Sequence, residues 1–159
     1  MKRSFDIKVE RVGCEALREV RFEVLWPHLE NSNEAKIDID ESKGALHLAA
    51  IIEGDIVGVV SVFDQKCDRY PHMFSGDNVA RIRAMGVLEK MRGMNVGLAL
   101  MREVEKLSTA NVIWCDARKV SWGFYEKCGF LYASDVSGVE YKCYSVRDVG
   151  FHKTMYKRL

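Results

Sequence analysis

The sequence predicts an α/β domain, a single sheet with helices packed on its faces. Three observations carry that reading. Apolar runs at 44–52, 56–63, 79–87 and 111–117 have strand length and β-branched character, and stretches of helical periodicity lie between some of them. Glu53-Gly54-Asp55 separates the first two runs as a hairpin signal. Gly93 and Gly97 stand where the run 79–87 gives way to an amphipathic segment, as when a strand empties through a tight turn onto a helix.

The elements follow in order. Leu17, Val20, Val24 and Leu25 recur at helical spacing, and Pro27 closes that helix. Its polar side carries Arg18, Arg21 and Glu23. Residues 30–43 are acidic and read as a loop with room for a short helix. After the hairpin, residues 64–78 form a second polar loop containing Pro71 and Gly76. The strand 79–87 leads through the glycines into a helix over about 95–108, with Gly97, Leu100, Met101, Val104 and Leu107 as its apolar stripe. The run 111–117 is a buried strand. Residues 121–127 form a brief helix that Cys128-Gly129 stops. Residues 130–136 and 141–145 read as strands around the turn 135–138, and 151–157 as a closing strand.

Composition narrows the function. The 159 residues are 48% hydrophobic, enough to build a core, and the two prolines mark no domain boundary, so residues 1–159 read as one domain. A net charge of +1 gives no electrostatic case for nucleic acid or an anionic membrane. The charged N-terminus, Met1 to Asp6, is not followed by the apolar run of a signal peptide, and no segment is apolar for a membrane-spanning length. The five cysteines are dispersed, without a C-x-x-C pair, which points to a reducing, cytoplasmic setting and thiols used as small core residues. His28, His47, His72 and His152 lack ligand spacing, so no metal is expected.

The segment from Val87 to Met101 carries the chemistry. Unpaired N–H groups at a helix N-terminus, with the positive end of its dipole, make an anion site, and Arg92 adds a forked cation at its lip. An ordinary strand-turn-helix connection is the other reading of this stretch taken alone.

Arg92-Gly93-Met94-Asn95-Val96-Gly97 resembles the (Gln/Arg)-x-x-Gly-x-(Gly/Ala) signature of the GNAT superfamily of acetyl-CoA-dependent N-acetyltransferases. Asn95 stands in place of the family's middle glycine, and asparagine tolerates the left-handed backbone better than other non-glycine residues. Phe124-Tyr-Glu-Lys-Cys-Gly-Phe130 resembles the family's F-Y-x-x-x-G-F, after a strand end where Asp116 replaces a common Asn. His152-Lys-Thr-Met-Tyr156 resembles its terminal strand. The element order agrees over essentially the whole chain.

The resemblance implies a mixed, mostly antiparallel sheet with a central splay and helices on both faces. It implies acetyl transfer from acetyl-CoA, as co-substrate, to a primary amine by direct attack in a ternary complex. No cysteine matches a position for an acetyl-enzyme. Met85 and Val87 would give main-chain contacts to the pantetheine arm, with Gly86 between them allowing close approach or marking a β-bulge. Arg92, Gly93, Met94, Asn95, Val96, Gly97, Leu98 and Ala99 would hold the pyrophosphate. For Met94 and Val96 the backbone would matter more than the side chain.

Tyr125 is the candidate general acid for the leaving thiolate, with core packing as its other reading. Phe124 is a cofactor contact or a core residue. Asp116 could touch the cofactor, orient the amine, relay its proton or cap the following helix. No general base is nominated: His47 reads as a packed strand residue, and His152 and Lys153 as sheet-face residues. Glu30, Glu34, Asp38, Asp40 and Glu41 could attract an amine or form a solvated loop. Arg18 and Arg21 could take an acceptor's anionic group or pair with Glu15 and Glu19 on the helix surface. The partners expected are acetyl-CoA and an amine, with the chain a monomer or homodimer. The alternative is a non-catalytic acyl-CoA-binding or sensing domain of the same fold.

Overall fold

The computed structural model describes residues 6–159, so the charged N-terminal stretch lies, but for Asp6, outside the described residues. Eight strands form one sheet among them: β1 (Lys8–Arg11), β2 (Leu46–Ile52), β3 (Asp55–Phe63), β4 (Val79–Val87), β5 (Val112–Arg118), β6 (Leu131–Tyr132), β7 (Tyr144–Val146) and β8 (Gly150–Arg158). Their order is β1-β2-β3-β4-β5-β8-β6, with β7 also on β8. The recorded ladders are antiparallel except β4–β5. The helices are α1 (Arg18–Val20), α2 (Val96–Leu107) and α3 (Trp122–Lys127). None is long and apolar enough to cross a membrane. The chain divides into two compact units, Met1–Phe63 with Arg83–Ser108, and Asp64–Ile82 with Thr109–Leu159.

In the first unit, β2 and β3 form the expected hairpin. Glu53 and Gly54 at its tip have φ of 50° and 85°, the left-handed pair that a two-residue turn needs to match strand twist. The first helix is less regular than its periodicity suggests. It tightens to a 3₁₀ turn at Cys14–Leu17 and widens at Arg21–Leu25, where the Trp26 N–H donates to the Arg21 carbonyl five residues back. Leu17, Val20, Ala49 and Val59 form the core beneath it. The stripe of α2 also differs from expectation: Val96, Leu100, Met101 and Val104 are buried, Gly97 is half-buried, and Leu107 is 41% exposed. Gly58 lies beneath the N-terminal half of this stripe. A Cβ there would lie 2.8 Å from Val96 Cγ1 and 3.1 Å from Leu100 Cδ1, so its bare backbone seats the helix.

In the second unit, β5 pairs along its whole length with β8, from Val112↔Arg158 to Arg118↔His152. Its ladder with β4 has three rungs, Val79↔Val112, Ala80↔Ile113 and Arg81↔Trp114. Side chains alternate between the faces of β5. Cys67, Phe74, Val79, Val112 and Trp114 form a cluster on one face under the 64–78 loop, and Cys115 turns to the other, where it bonds Tyr125 of α3. The strand expected over 130–136 shortens to Leu131–Tyr132, and that over 141–145 becomes Tyr144–Val146. The cause is the Asp135 turn, whose carboxylate accepts from the backbone N–H groups of Ser137 and Val139. Four of the five cysteines are buried core residues, and Cys143 is exposed.

Candidate active site

In the first unit, β4 ends at Val87, and the Leu88 N–H donates to the Val57 carbonyl at 2.8 Å, fixing the exit of the chain. A short turn, Glu89–Met91, delivers Arg92 in an extended conformation and exposed, without an acidic partner among the described residues. Gly93 has φ of 78° and Asn95 has φ of 65° and ψ of 19°, both left-handed. Asparagine at 95 thus adopts the left-handed backbone that its residue type tolerates. The Asn95 side chain makes no cap bond, and the first α2 ladder bond runs from the Ala99 N–H to the Asn95 carbonyl at 3.0 Å. The amides of Val96, Gly97 and Leu98 therefore precede the ladder, a row of donors at the positive end of a twelve-residue helix. Val96 is the anchor of this loop as well as a backbone donor, being 1% exposed. Met94, Leu98 and Ala99 are half-buried. This arrangement fits a pyrophosphate by chemistry: bare amides, a dipole and one exposed cation.

Upstream, Met85 and Val87 are half-buried on β4. Gly86 is buried, and a Cβ on it would meet Leu25 and Val24 at 3.2 Å. Its bare face thus receives the first helix, a packing reason for glycine at this position. The irregularity of the strand lies at Ala84, whose φ of 51° is left-handed.

In the second unit, Tyr125 is 6% exposed and packs edge-on against Phe124 and Phe130, with ring centroids 5.3 and 5.2 Å away. Burial, then the charge and hydrogen bond of Cys115, raise its phenol well above the ordinary tyrosine value, so it holds its proton at neutral pH. Phe124 is half-buried.

Asp116 turns to the opposite face of β5. Its Oδ2 accepts from Arg81 Nη2 at 2.7 Å; its Oδ1 accepts from the Tyr144 hydroxyl and, at 2.9 Å, from Thr154 Oγ1. It does not cap α3, whose N-cap is Ser121. Arg81 also donates to Gln65 Oε1 at 3.0 Å and lies over the Trp114 ring at 4.7 Å. Burial and the Asp116 bond both raise the Tyr144 phenol. Sequence reasoning missed Arg81, Tyr144 and Thr154. The alternation His152, Thr154, Tyr156 was a usable signal, since it places Thr154 on one face with its β5 partner Asp116.

Arg21 and Asp40 are corrected too. Arg21 is fully buried, and its two Nη atoms donate to Asp40 at 2.7 and 2.8 Å and to the Ser61 Oγ at 2.8 Å. Burial pushes the Asp40 carboxyl up, but the Arg21 hydrogen bonds and the Ile37 amide outweigh it and hold the group below its usual value. Neither residue is a solvated charge free to recruit substrate. His47 is the packed residue it was read to be: Nε2–H donates to the Asp40 carbonyl at 2.7 Å, leaving Nδ1 to accept from Ser61 Oγ–H at 2.7 Å.

A mixed sheet whose β4–β5 ladder stops after three rungs, and a left-handed loop that bares helix amides, together define an acyltransferase of the splayed-sheet class. Residues 12–130 match the model of the Acetyltransferase (GNAT) family, and the chain belongs to it. Acyl transfer is the chemistry of that family. The uncharacterized N-acetyltransferase YitI of Bacillus subtilis (strain 168) is 26% identical over 156 residues, spanning 96% of this chain and 97% of that one. The crystal structure of Escherichia coli ElaA superposes with a TM-score of 0.69 at 15% identity, over 96% of this chain and all of that chain (100%). A GNAT-family acetyltransferase from Staphylococcus aureus Mu50 gives 0.65 at 18% identity, over 97% and 99% of the two chains. These two structures share the fold with this chain.

Proposed function

We propose that this enzyme transfers the acetyl group of acetyl-CoA to a primary amine by direct attack in a ternary complex. The observation that carries the reading is the left-handed pair Gly93 and Asn95 feeding an uncapped α2 N-terminus beside the exposed Arg92. In this reading Arg92 and the backbone from Gly93 to Ala99 take the pyrophosphate. Met85 and Val87 lend main-chain groups to the pantetheine arm, and a preorganised N–H at the thioester oxygen contributes roughly 3 kcal/mol to lowering the barrier. Phe124 packs behind Tyr125, and the Tyr125 phenol protonates the departing sulfur. Asp116 contributes by holding the strands, its lone pairs being committed to Arg81, Tyr144 and Thr154.

The test is thiol release from acetyl-CoA across a panel of primary amines, wild type against Tyr125→Phe. Amine-dependent release that falls about 10²–10⁴-fold in the variant supports the reading. Acetyl-CoA binding without release for any amine would leave a non-catalytic binding domain in its place.

A further inference from the structure

We infer that Cys115 is the positioning residue of the acid step: its sulfur holds the Tyr125 hydroxyl until the proton is needed, and its S–H then supports the phenolate. The assignment rests on the acetyl-transfer reading above, in which Tyr125 protonates the departing sulfur.

Packing fixes the two partners on one face of β5. Cys115 is 2% exposed and stands opposite Met155 of β8, which is fully buried. Helix α3 is tied to the same strand two residues further on, where Trp122 Nε1 donates to the Ala117 carbonyl at 2.7 Å. The Tyr125 carbonyl accepts from the Cys128 and Phe130 N–H groups at 3.1 and 3.0 Å, which anchors the end of that helix. Phe124 and Phe130 hold the Tyr125 ring edge-on, so the freedom left to the hydroxyl is rotation about its C–O bond. A side-chain hydrogen bond joins that hydroxyl to the Cys115 sulfur.

The proton count gives this pair its use. Burial raises both the Cys115 thiol and the Tyr125 phenol above their ordinary values, so each keeps its proton at neutral pH. Two hydrogens thus serve one hydrogen bond. While Tyr125 holds its proton, the phenol is the stronger donor and sulfur accepts. Once that proton has left, the remaining S–H turns about Cβ–Sγ and donates to the phenolate oxygen. A Cys115 charge opposes a phenolate only when the thiol is ionised, and burial prevents that at neutral pH. A phenolate on a residue only 6% exposed has little water to solvate it, and an S–H donor in contact lowers that cost. Arg118, at the end of β5, adds a favourable charge.

The step balances. The nitrogen lone pair of a neutral amine forms the N–C bond, and the C–S bond breaks with its electron pair left on sulfur. The Tyr125 O–H gives its proton to that sulfur, and the phenolate gains the Cys115 hydrogen bond while the S–H bond stays intact. A proton from the acetylated nitrogen returns through solvent to Tyr125, and Cys115 goes back to accepting. The sum is amide and free thiol, with both side chains restored.

Two substitutions separate this role from core packing. Cys115→Val keeps an apolar side chain suited to a strand but has no donor, whereas Cys115→Ser keeps a donor in a poorer fit. The test measures kcat and KM for acetyl-CoA on the best amine of the panel, in wild-type and Tyr125→Phe backgrounds, with Tm and calorimetric acetyl-CoA affinity beside them. Cys115→Val should lower kcat about tenfold with KM and affinity within about threefold, and Cys115→Ser should stay within about threefold of the wild-type kcat. In Tyr125→Phe, where no phenolate forms, Cys115→Val should change kcat less than about twofold. If Cys115→Val does not fold, Cys115→Ala takes its place in both backgrounds. A wild-type kcat in Cys115→Val, equal losses in the two backgrounds, or a Cys115→Ser variant no better than Cys115→Val would overturn the inference in favour of packing. A wild-type kcat in Tyr125→Phe would instead remove Tyr125 as the acid, and absence of turnover on every amine would remove the acetyl-transfer reading. The inference falls with either.

Discussion

Arg81 Nη2 meets Asp116 Oδ2 at 2.7 Å, two residues beyond the last rung of the β4–β5 ladder at Arg81↔Trp114. The ion pair closes the fork of the sheet, and Asp116 carries the tie on to Tyr144 of β7 and Thr154 of β8. Both side chains are about a fifth exposed, 20% and 21%, so solvent discounts the charge attraction, and the hydrogen bonds supply most of the effect. Asp116→Ala strands two hydroxyls and a guanidinium and should cost about 2–4 kcal/mol. Asp116→Asn keeps an acceptor oxygen and should cost about half as much. Urea denaturation measures both, and equal losses would place the effect in charge alone.

The buried Arg21–Asp40 pair gives a second expectation. Arg21→Ala leaves a carboxylate buried without its partner and should cost about 3–5 kcal/mol, while Arg21→Met with Asp40→Leu should recover most of that. Because the Asp40 value is lowered in the folded state, its contribution is present above the unfolded-state aspartate value, about 3.9. It is lost as pH falls through the lower folded value. Acid titration of Tm should show this loss in wild type and not in the double variant.

The same pair shows where the sequence stops being legible. Arg21 sits among polar neighbours on a helix, and its partner lies 19 residues away in an acidic loop, so nothing local distinguishes it from a surface arginine. Ala84 gives no hint of a positive φ, because alanine has no preference for it. The 130–136 run was apolar enough for a strand, but the chain turns at Asp135, whose carboxylate accepts from the amides of Ser137 and Val139. By contrast β4 runs from Val79 to Val87 as read, since a polar loop and a glycine turn bound its apolar run. The hairpin and the left-handed Asn95 were equally readable, because each rests on a residue, Gly54 or Asn95, that tolerates a backbone conformation few others adopt. The face-to-face placement of His152 and Tyr144 depends on register between β7 and β8, which no single strand encodes.

Packing beneath the phosphate loop should couple stability to binding. Gly58→Ala places a methyl 2.8 Å from Val96 Cγ1 and 3.1 Å from Leu100 Cδ1, so the Val96 side chain or α2 must give way. A cost of about 1–3 kcal/mol is expected, with weaker acetyl-CoA affinity because the displaced turn carries the amides. Asn95→Ala should also weaken binding, as alanine in the left-handed region costs roughly 1–2 kcal/mol, whereas Asn95→Gly should bind at least as well as wild type. Thermal unfolding paired with calorimetry checks all three.

The raised Tyr125 phenol makes an alkaline prediction. A group whose folded value lies above its unfolded value contributes stability that is full below the unfolded tyrosine value, about 10, and is lost as pH climbs toward the folded one. Wild type should therefore lose stability above that pH more steeply than Tyr125→Phe, measured by urea midpoints across the alkaline range. Parallel curves would show that the phenol is not held in its neutral form.

The most direct measurement is a calorimetric titration of the folded protein with acetyl-CoA, repeated with Arg92→Ala. One site per chain, weakened about tenfold in the variant as a charge-assisted phosphate contact is removed, is the expected result. A folded wild type that takes up no acetyl-CoA would contradict the donor site at Gly93–Ala99 and the acetyl transfer built on it.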